Sequence, residues 1–228
     1  MPTRTWTLAL VVTILANWVP NSSTAAPPEA AIAVPVYKPP LRGAPKTRVG
    51  GGTRGPGDQL PALYVLAPEH TGLTTRGQPI LYWYLSKPAS ARIEVTLADD
   101  RSVQPLLEAV VTGITKPGMQ QLKLADYGAR LQPGVEYRWS IALVRDPDQR
   151  SQDIVASAGV RLVEPDEDLR TWAGQCREME CVSLYAEKGV WYDALDTLEG
   201  LIETRPNNQV FQTARKQLME QAQLPTSK

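Results

Sequence analysis

Cys176 and Cys181 are the only two cysteines and His70 the only histidine among 228 residues, so nucleophilic or metal chemistry has few places to reside. Two thiolates without a histidine nearby would fill half of a tetrahedral zinc site, which argues against zinc. The other chemistry open to the pair is a disulfide, permitted in an exported protein. Residues five apart on one continuous helix have Cα atoms about 8 Å apart and point to different sides, beyond bridging reach. A bridge therefore requires a helix that begins only after Cys176, and the sequence leaves both arrangements open.

Any Ser-His-Asp, Cys-His or histidine-based metal mechanism would have to run through His70. It lies in Pro68-Glu69-His70-Thr71-Gly72, a turn composition with nothing resembling a nucleophile elbow or a metal cluster around it, and is read as a surface turn residue. Glu69 and the Asp99-Asp100 pair would suit glycoside hydrolysis if folding brought them to the right separation; loop acids are ordinarily only solvated. Gly50-Gly51-Gly52-Thr53-Arg54-Gly55 satisfies the dinucleotide-binding pattern G-x-G-x-x-G, but no buried strand leads into it and Pro56-Gly57 follows where a helix would have to start. No catalytic, cofactor-binding or metal-ligating residue is assigned, and no cofactor is expected.

The elements that must position these residues are organised around Leu131-Gln-Pro-Gly-Val-Glu-Tyr137-Arg-Trp139-Ser-Ile141-Ala-Leu143. Pro133 and Gly134 make a turn, and the chain leaves it as a strand with Val135, Tyr137, Trp139, Ile141 and Leu143 on one face. Seven strands are predicted: 62–67, 80–85, 92–98, 107–114, 119–124, 135–144 and 154–163, separated by Pro, Gly and Asp signals. Seven short strands in about a hundred residues predict an antiparallel β-sandwich of the immunoglobulin or fibronectin III kind over 61–163, in a mostly β protein. The spacing Leu-x-Pro-Gly-x-x-Tyr resembles the tyrosine corner of such sandwiches, in which the tyrosine hydroxyl bonds to backbone a few residues upstream. Trp83 and Trp139 are then core residues rather than ligand-stacking platforms.

The N-terminus reads as an export signal over 1–25, with Arg4, an apolar run from Trp6 to Val19, and small residues at Ser23-Thr24-Ala25. An uncleaved membrane anchor is the alternative, although the run falls short of a bilayer span. Residues 26–60 hold seven prolines and six glycines, which cannot sustain a helix or a central strand, and are read as a basic linker that is either solvated or touches an anionic surface. With 24 Lys and Arg against 24 Asp and Glu, a global basic field for nucleic acid is absent, and no nucleic-acid partner is expected.

After the acidic Pro165-Asp166-Glu167-Asp168, in which Asp166 is a candidate helix cap, the periodicity becomes helical over 165–224. Tyr185 to Asn208 resembles most of one tetratricopeptide repeat, with Ala194 where helices pack closely and Pro206 ending the second helix. A final helix is predicted over 209–223. Leu184, Trp191, Leu195, Leu198 and Leu201 form a candidate interaction face, because a lone helical hairpin cannot shield them. They must pack on the sandwich, on a partner or on a second copy.

Arg48-Val-Gly-Gly-Gly-Thr-Arg-Gly55, the run Tyr64 to Leu73, Gln78-Pro-Ile-Leu-Tyr-Trp-Tyr84, the Tyr137-Arg-Trp139 strand and Gly189-Val-Trp-Tyr-Asp-Ala-Leu195 together resemble the bacterial domain of unknown function family 928, over roughly residues 48 to 200. That resemblance implies kinship without an activity or site residues. The expected function is an exported, non-enzymatic interaction module, binding another protein at the bacterial envelope, periplasmic or extracellular, with oligomeric state open. A cryptic hydrolase or a carbohydrate-binding accessory protein is the alternative.

Overall fold

The structure, a computed structural model, describes residues 35–40, 61–89, 91–111 and 116–224. The expected export signal and the glycine hexapeptide at 50–55 lie outside the described residues. Among the described residues there are eight strands: β1 Leu63–Val65, β2 Gly72–Thr74, β3 Ile80–Leu85, β4 Arg92–Asp99, β5 Leu107–Val111, β6 Gly118–Lys123, β7 Glu136–Val144 and β8 Ile154–Leu162. Four helices follow, α1 Glu167–Ala173, α2 Met179–Glu187, α3 Trp191–Thr204 and α4 Gln209–Gln221. Strand and helix residues are nearly equal in number, which corrects the expectation of a mostly β protein.

The strands form two sheets, one of three in the order β1-β3-β6 and one of five in the order β2-β8-β7-β4-β5. The long strand β7 lies between β4 and β8, antiparallel to both, with Trp139 in register with Leu97 on one side and Ala158 on the other. Alternation does the sorting: Tyr137, Trp139, Ile141 and Leu143 of β7, Ile93, Val95 and Leu97 of β4, and Leu81, Trp83 and Leu85 of β3 are all buried in one cluster. Trp83 and Trp139 have no exposed surface, which places them in the core. At the turn before β7, the Gln132 amide donates to the Tyr137 hydroxyl at 3.3 Å.

Two features depart from the predicted pattern. Strand β2 pairs parallel to β8, so the larger sheet is not wholly antiparallel; at three residues, Gly-Leu-Thr, β2 is too short to show alternation. Residues 35–40 also belong to the packed body rather than to a solvated linker, with Tyr37 only 6% exposed.

The helices start and stop where side chains dictate. Asp166 caps α1 by accepting from the Leu169 amide at 2.6 Å, and Asn208 caps α4 by accepting from Val210 at 2.9 Å. Between α1 and α2 the helix is interrupted, and Cys176 and Cys181 form a disulfide across that interruption with a Cα–Cα separation of 5.1 Å. Helix α3 packs against α2 and α4 and against β2 and β3, so sheets and helices share one continuous apolar cluster. All described residues belong to one compact unit, Ile32–Lys228. No described helix is long and apolar enough to cross a membrane.

Candidate functional site

Helix α3 enters the body at its first turn, and the residues that hold it there build the site. The Trp191 indole N–H donates to the Leu66 carbonyl at 2.9 Å. Tyr192 reaches further in: its hydroxyl accepts from the Trp139 indole at 2.8 Å and donates to the Gly159 carbonyl at 2.9 Å. Room for that ring depends on Gly72, where a Cβ would come within 2.6 Å of the Tyr192 ring. Burial raises the Tyr192 pKa well above the usual phenol range, so the hydroxyl keeps its proton and both bonds persist at any ordinary pH.

Over this junction lies the extended segment 35–40. The Gln221 side-chain amide grips its backbone on both sides, accepting from the Tyr37 N–H at 2.6 Å and donating to the Pro35 carbonyl at 2.9 Å. The Lys38 N–H donates to the Ala186 carbonyl at 3.0 Å. The Tyr37 ring meets Trp191 edge to face with centroids 5.0 Å apart, and lies nearly parallel to His70 at 5.8 Å. Its hydroxyl is hydrogen-bonded to His70 Nε2 at 2.8 Å. Burial pushes the Tyr37 phenol up and the His70 imidazole down from their ordinary values, which favours a protonated phenol against a neutral ring.

The segment passes so close to the turn between α2 and α3 that Gly189 is obligatory there. Its φ is +71°, and a Cβ would lie 2.6 Å from the Lys38 carbonyl oxygen.

Beside this aromatic pocket, α3 presents a row of acids to the sheets and to α4. Asp193 is buried and accepts from the Thr75 amide at 3.0 Å and from its hydroxyl at 2.6 Å, with Arg76 Nε 3.6 Å away. Asp196 pairs with Arg76 and accepts from the Tyr82 hydroxyl at 2.9 Å. Glu199, 6% exposed, has Arg215 of α4 at 3.4 Å from one oxygen, while Oε1 has no hydrogen-bond partner among the described residues. Burial pushes its carboxyl up to about 7, with Arg215 opposing and Glu203 reinforcing the rise.

The structure brings some predicted residues together and corrects others. Of the expected interaction face, Trp191, Leu195 and Leu198 have no exposed surface and Leu184 and Leu201 are partly buried. The expected face is therefore an internal seam, because α2, α4 and the sheets cover α3 on several sides. His70 is not a free surface turn residue; the pocket around Tyr37 engages it. Asp99 accepts from the amides of Arg101 and Ser102 and from the Ser102 hydroxyl, closing its own turn, and these bonds hold its carboxyl below the usual range. Among the described residues, no group of three or more His, Cys, Asp or Glu side chains is arranged to hold a metal ion.

Tyr37, Gly189, Gln221 and the acids of α3 were not singled out by sequence reasoning. The available signal for Tyr37 was the apolar run Ala30-Ala-Ile-Ala-Val-Pro-Val-Tyr37 inside a stretch otherwise rich in Pro, Gly and basic residues.

Two sheets with helices locked into one edge, and an extended segment laid over that junction, define a mixed β and α architecture. The chain belongs to the family described as Domain of Unknown Function (DUF928), whose match spans residues 49–228. Every described strand and helix lies within that span, and the segment 35–40 lies outside it. No curated protein matches the chain.

Proposed function

We propose that this chain is an exported, non-enzymatic interaction module that binds another protein at the bacterial envelope, periplasmic or extracellular. The observation that carries the reading is the mode in which segment 35–40 is held: an extended peptide gripped through its backbone at Pro35, Tyr37 and Lys38, with one aromatic side chain seated in a pocket. Protein modules recognise extended peptides in this way, with main-chain bonds giving affinity and a pocket giving selectivity.

The framework we infer is an immunoglobulin-like sandwich followed by a tetratricopeptide-like hairpin. The sheet orders β1-β3-β6 and β2-β8-β7-β4-β5 and the bond from the Gln132 amide to the Tyr137 hydroxyl support the first. Complete burial of Ala194, where α3 packs into the helical segment, supports the second.

The test pairs two measurements on the mature protein. Cross-linking and affinity capture from envelope fractions should retain a defined protein partner, and a broad hydrolase screen should give no turnover. Hydrolysis of any substrate that His70→Ala abolishes would overturn the reading in favour of a cryptic hydrolase, and saturable binding of a glycan in place of a protein would favour a carbohydrate-binding accessory role.

A further inference from the structure

We propose that residues 35–40 are the resident occupant of a groove whose ligand class is an extended peptide with a tyrosine anchor and flanking prolines, and that a partner's segment of the same chemistry displaces them. This inference rests on the reading of the chain as an interaction module and names what the module recognises.

The groove reads two things. Its polar contacts from Gln221 and Ala186 go only to backbone atoms of Pro35, Tyr37 and Lys38, so they would accept any extended chain of the same path. Selectivity falls first on the tyrosine, which needs the edge of Trp191 for its ring and His70 Nε2 for its hydroxyl, and second on Pro35, whose ring is also buried. Val36 and Lys38 point outward and are exposed, so their side chains are not read. Pro35, Pro39 and Pro40 hold the backbone near an extended conformation before docking, which reduces the ordering cost of binding.

Occupant and groove are separable. His70, Ala186, Gly189, Trp191 and Gln221 all lie in the span matched by the family, whereas 35–40 lies outside it. The contact is also small: the buried Pro35 and Tyr37 side chains, three backbone bonds and the bond between the Tyr37 hydroxyl and His70. A segment of that size binds weakly as a free peptide and is retained here because covalent attachment gives it a high effective concentration. A partner carrying the same sequence chemistry in a longer or multivalent segment can therefore outcompete it.

The test uses the full mature chain and a fluorescent peptide with the sequence of residues 33–42, followed by fluorescence anisotropy. Tyr37→Ala should empty the pocket and bind the peptide about tenfold or more tighter than the wild-type chain, as loss of an intramolecular competitor requires. Tyr37→Phe, which keeps the ring and loses only the bond to His70, should open the groove by about fivefold and serves if the alanine variant folds poorly. Replacing tyrosine by alanine in the peptide should abolish binding. Adding Gly189→Asn, which tolerates the left-handed φ but sets a Cβ where the Lys38 carbonyl lies, to Tyr37→Ala should do the same in a chain whose far-ultraviolet circular dichroism is unchanged.

Equal peptide affinity for wild-type, Tyr37→Ala and Tyr37→Phe chains would overturn the proposal, as would no binding to any of them. Concentration-dependent dimerisation of the wild-type chain that Tyr37→Ala abolishes would assign the groove to a second copy's segment and also overturn it. Envelope capture that survives the absence of peptide binding would leave the interaction module standing, and peptide binding without envelope capture would do the reverse.

Discussion

The two open sides of the two-sheet body are treated differently. At the side where β1 of one sheet approaches β8 of the other, α3 inserts Trp191 and Tyr192 and the sheets close around them. At the opposite side, among the described residues, β5 pairs only with β4 and β6 only with β3. Val110 of β5 is 45% exposed, and a shallow cleft of about 210 Å³ opens between Val111 and Gln121, Leu122, Lys123, Asp126 and Tyr127. The closed side uses amphipathic aromatics, whose polar ends satisfy buried backbone where a sheet edge would otherwise leave it bare. The open side relies on the exposed charges Glu108 and Lys123, which discourage pairing with another chain.

If this contrast is correct, sensitivity to substitution should fall from the closed side to the open one. Trp191→Ala should have the largest effect, about 3 to 5 kcal/mol in chemical denaturation, because it empties the seam and orphans the Leu66 carbonyl. A loss under about 1 kcal/mol would mean that α3 does not hold the sheets together. Tyr192→Phe should cost about 2 to 3 kcal/mol, since removing one hydroxyl leaves both the Trp139 indole N–H and the Gly159 carbonyl without their partner.

Glu199 sharpens the comparison through pH. Its folded carboxyl titrates near 7 against an ordinary value of 4.5, so between those values the unfolded chain has given up a proton that the folded chain retains. Stability should therefore fall as pH rises through that window and level off above it. Glu199→Gln should flatten the decline and raise stability above pH 7 by about 2 kcal/mol, the benefit reduced by loss of the Arg215 pair. Urea melts from pH 4 to 9 would measure it, and a variant as pH-dependent as the parent would show that Glu199 is not the titrating group. The smallest effect belongs to the open side. Val110→Thr should change stability by no more than about 0.5 kcal/mol.

Strand positions were legible in the sequence wherever alternation ran for five residues or more. Arg92 to Asp99 and Glu136 to Val144 declare themselves in this way, and Asp166 marks a helix start by cap chemistry. What could not be read was anything decided by distant partners. Three-residue β2 exists because β8 lies beside it. Whether the helix broke before Cys181 depended on packing that local spacing does not encode. The leucines of α3 carried a correct apolar pattern but not the identity of what covers them. Of the candidate site, Trp139, Trp191 and His70 stood out in the sequence, the histidine as a surface turn residue, while proline density concealed that Tyr37 has a buried destination.

The clasp between Tyr37 and Gln221 joins residues 184 positions apart, and a ribosome makes them in the wrong order for docking. When residues 35–40 emerge, Ala186, Gly189, Trp191 and Gln221 do not yet exist, so the segment waits while the rest of the chain is made, for roughly ten to forty seconds at elongation rates of about 5 to 20 residues per second. Its docking cannot precede the synthesis of α4, and for all of that interval the nascent protein carries an unseated tyrosine anchor ahead of its own receptor.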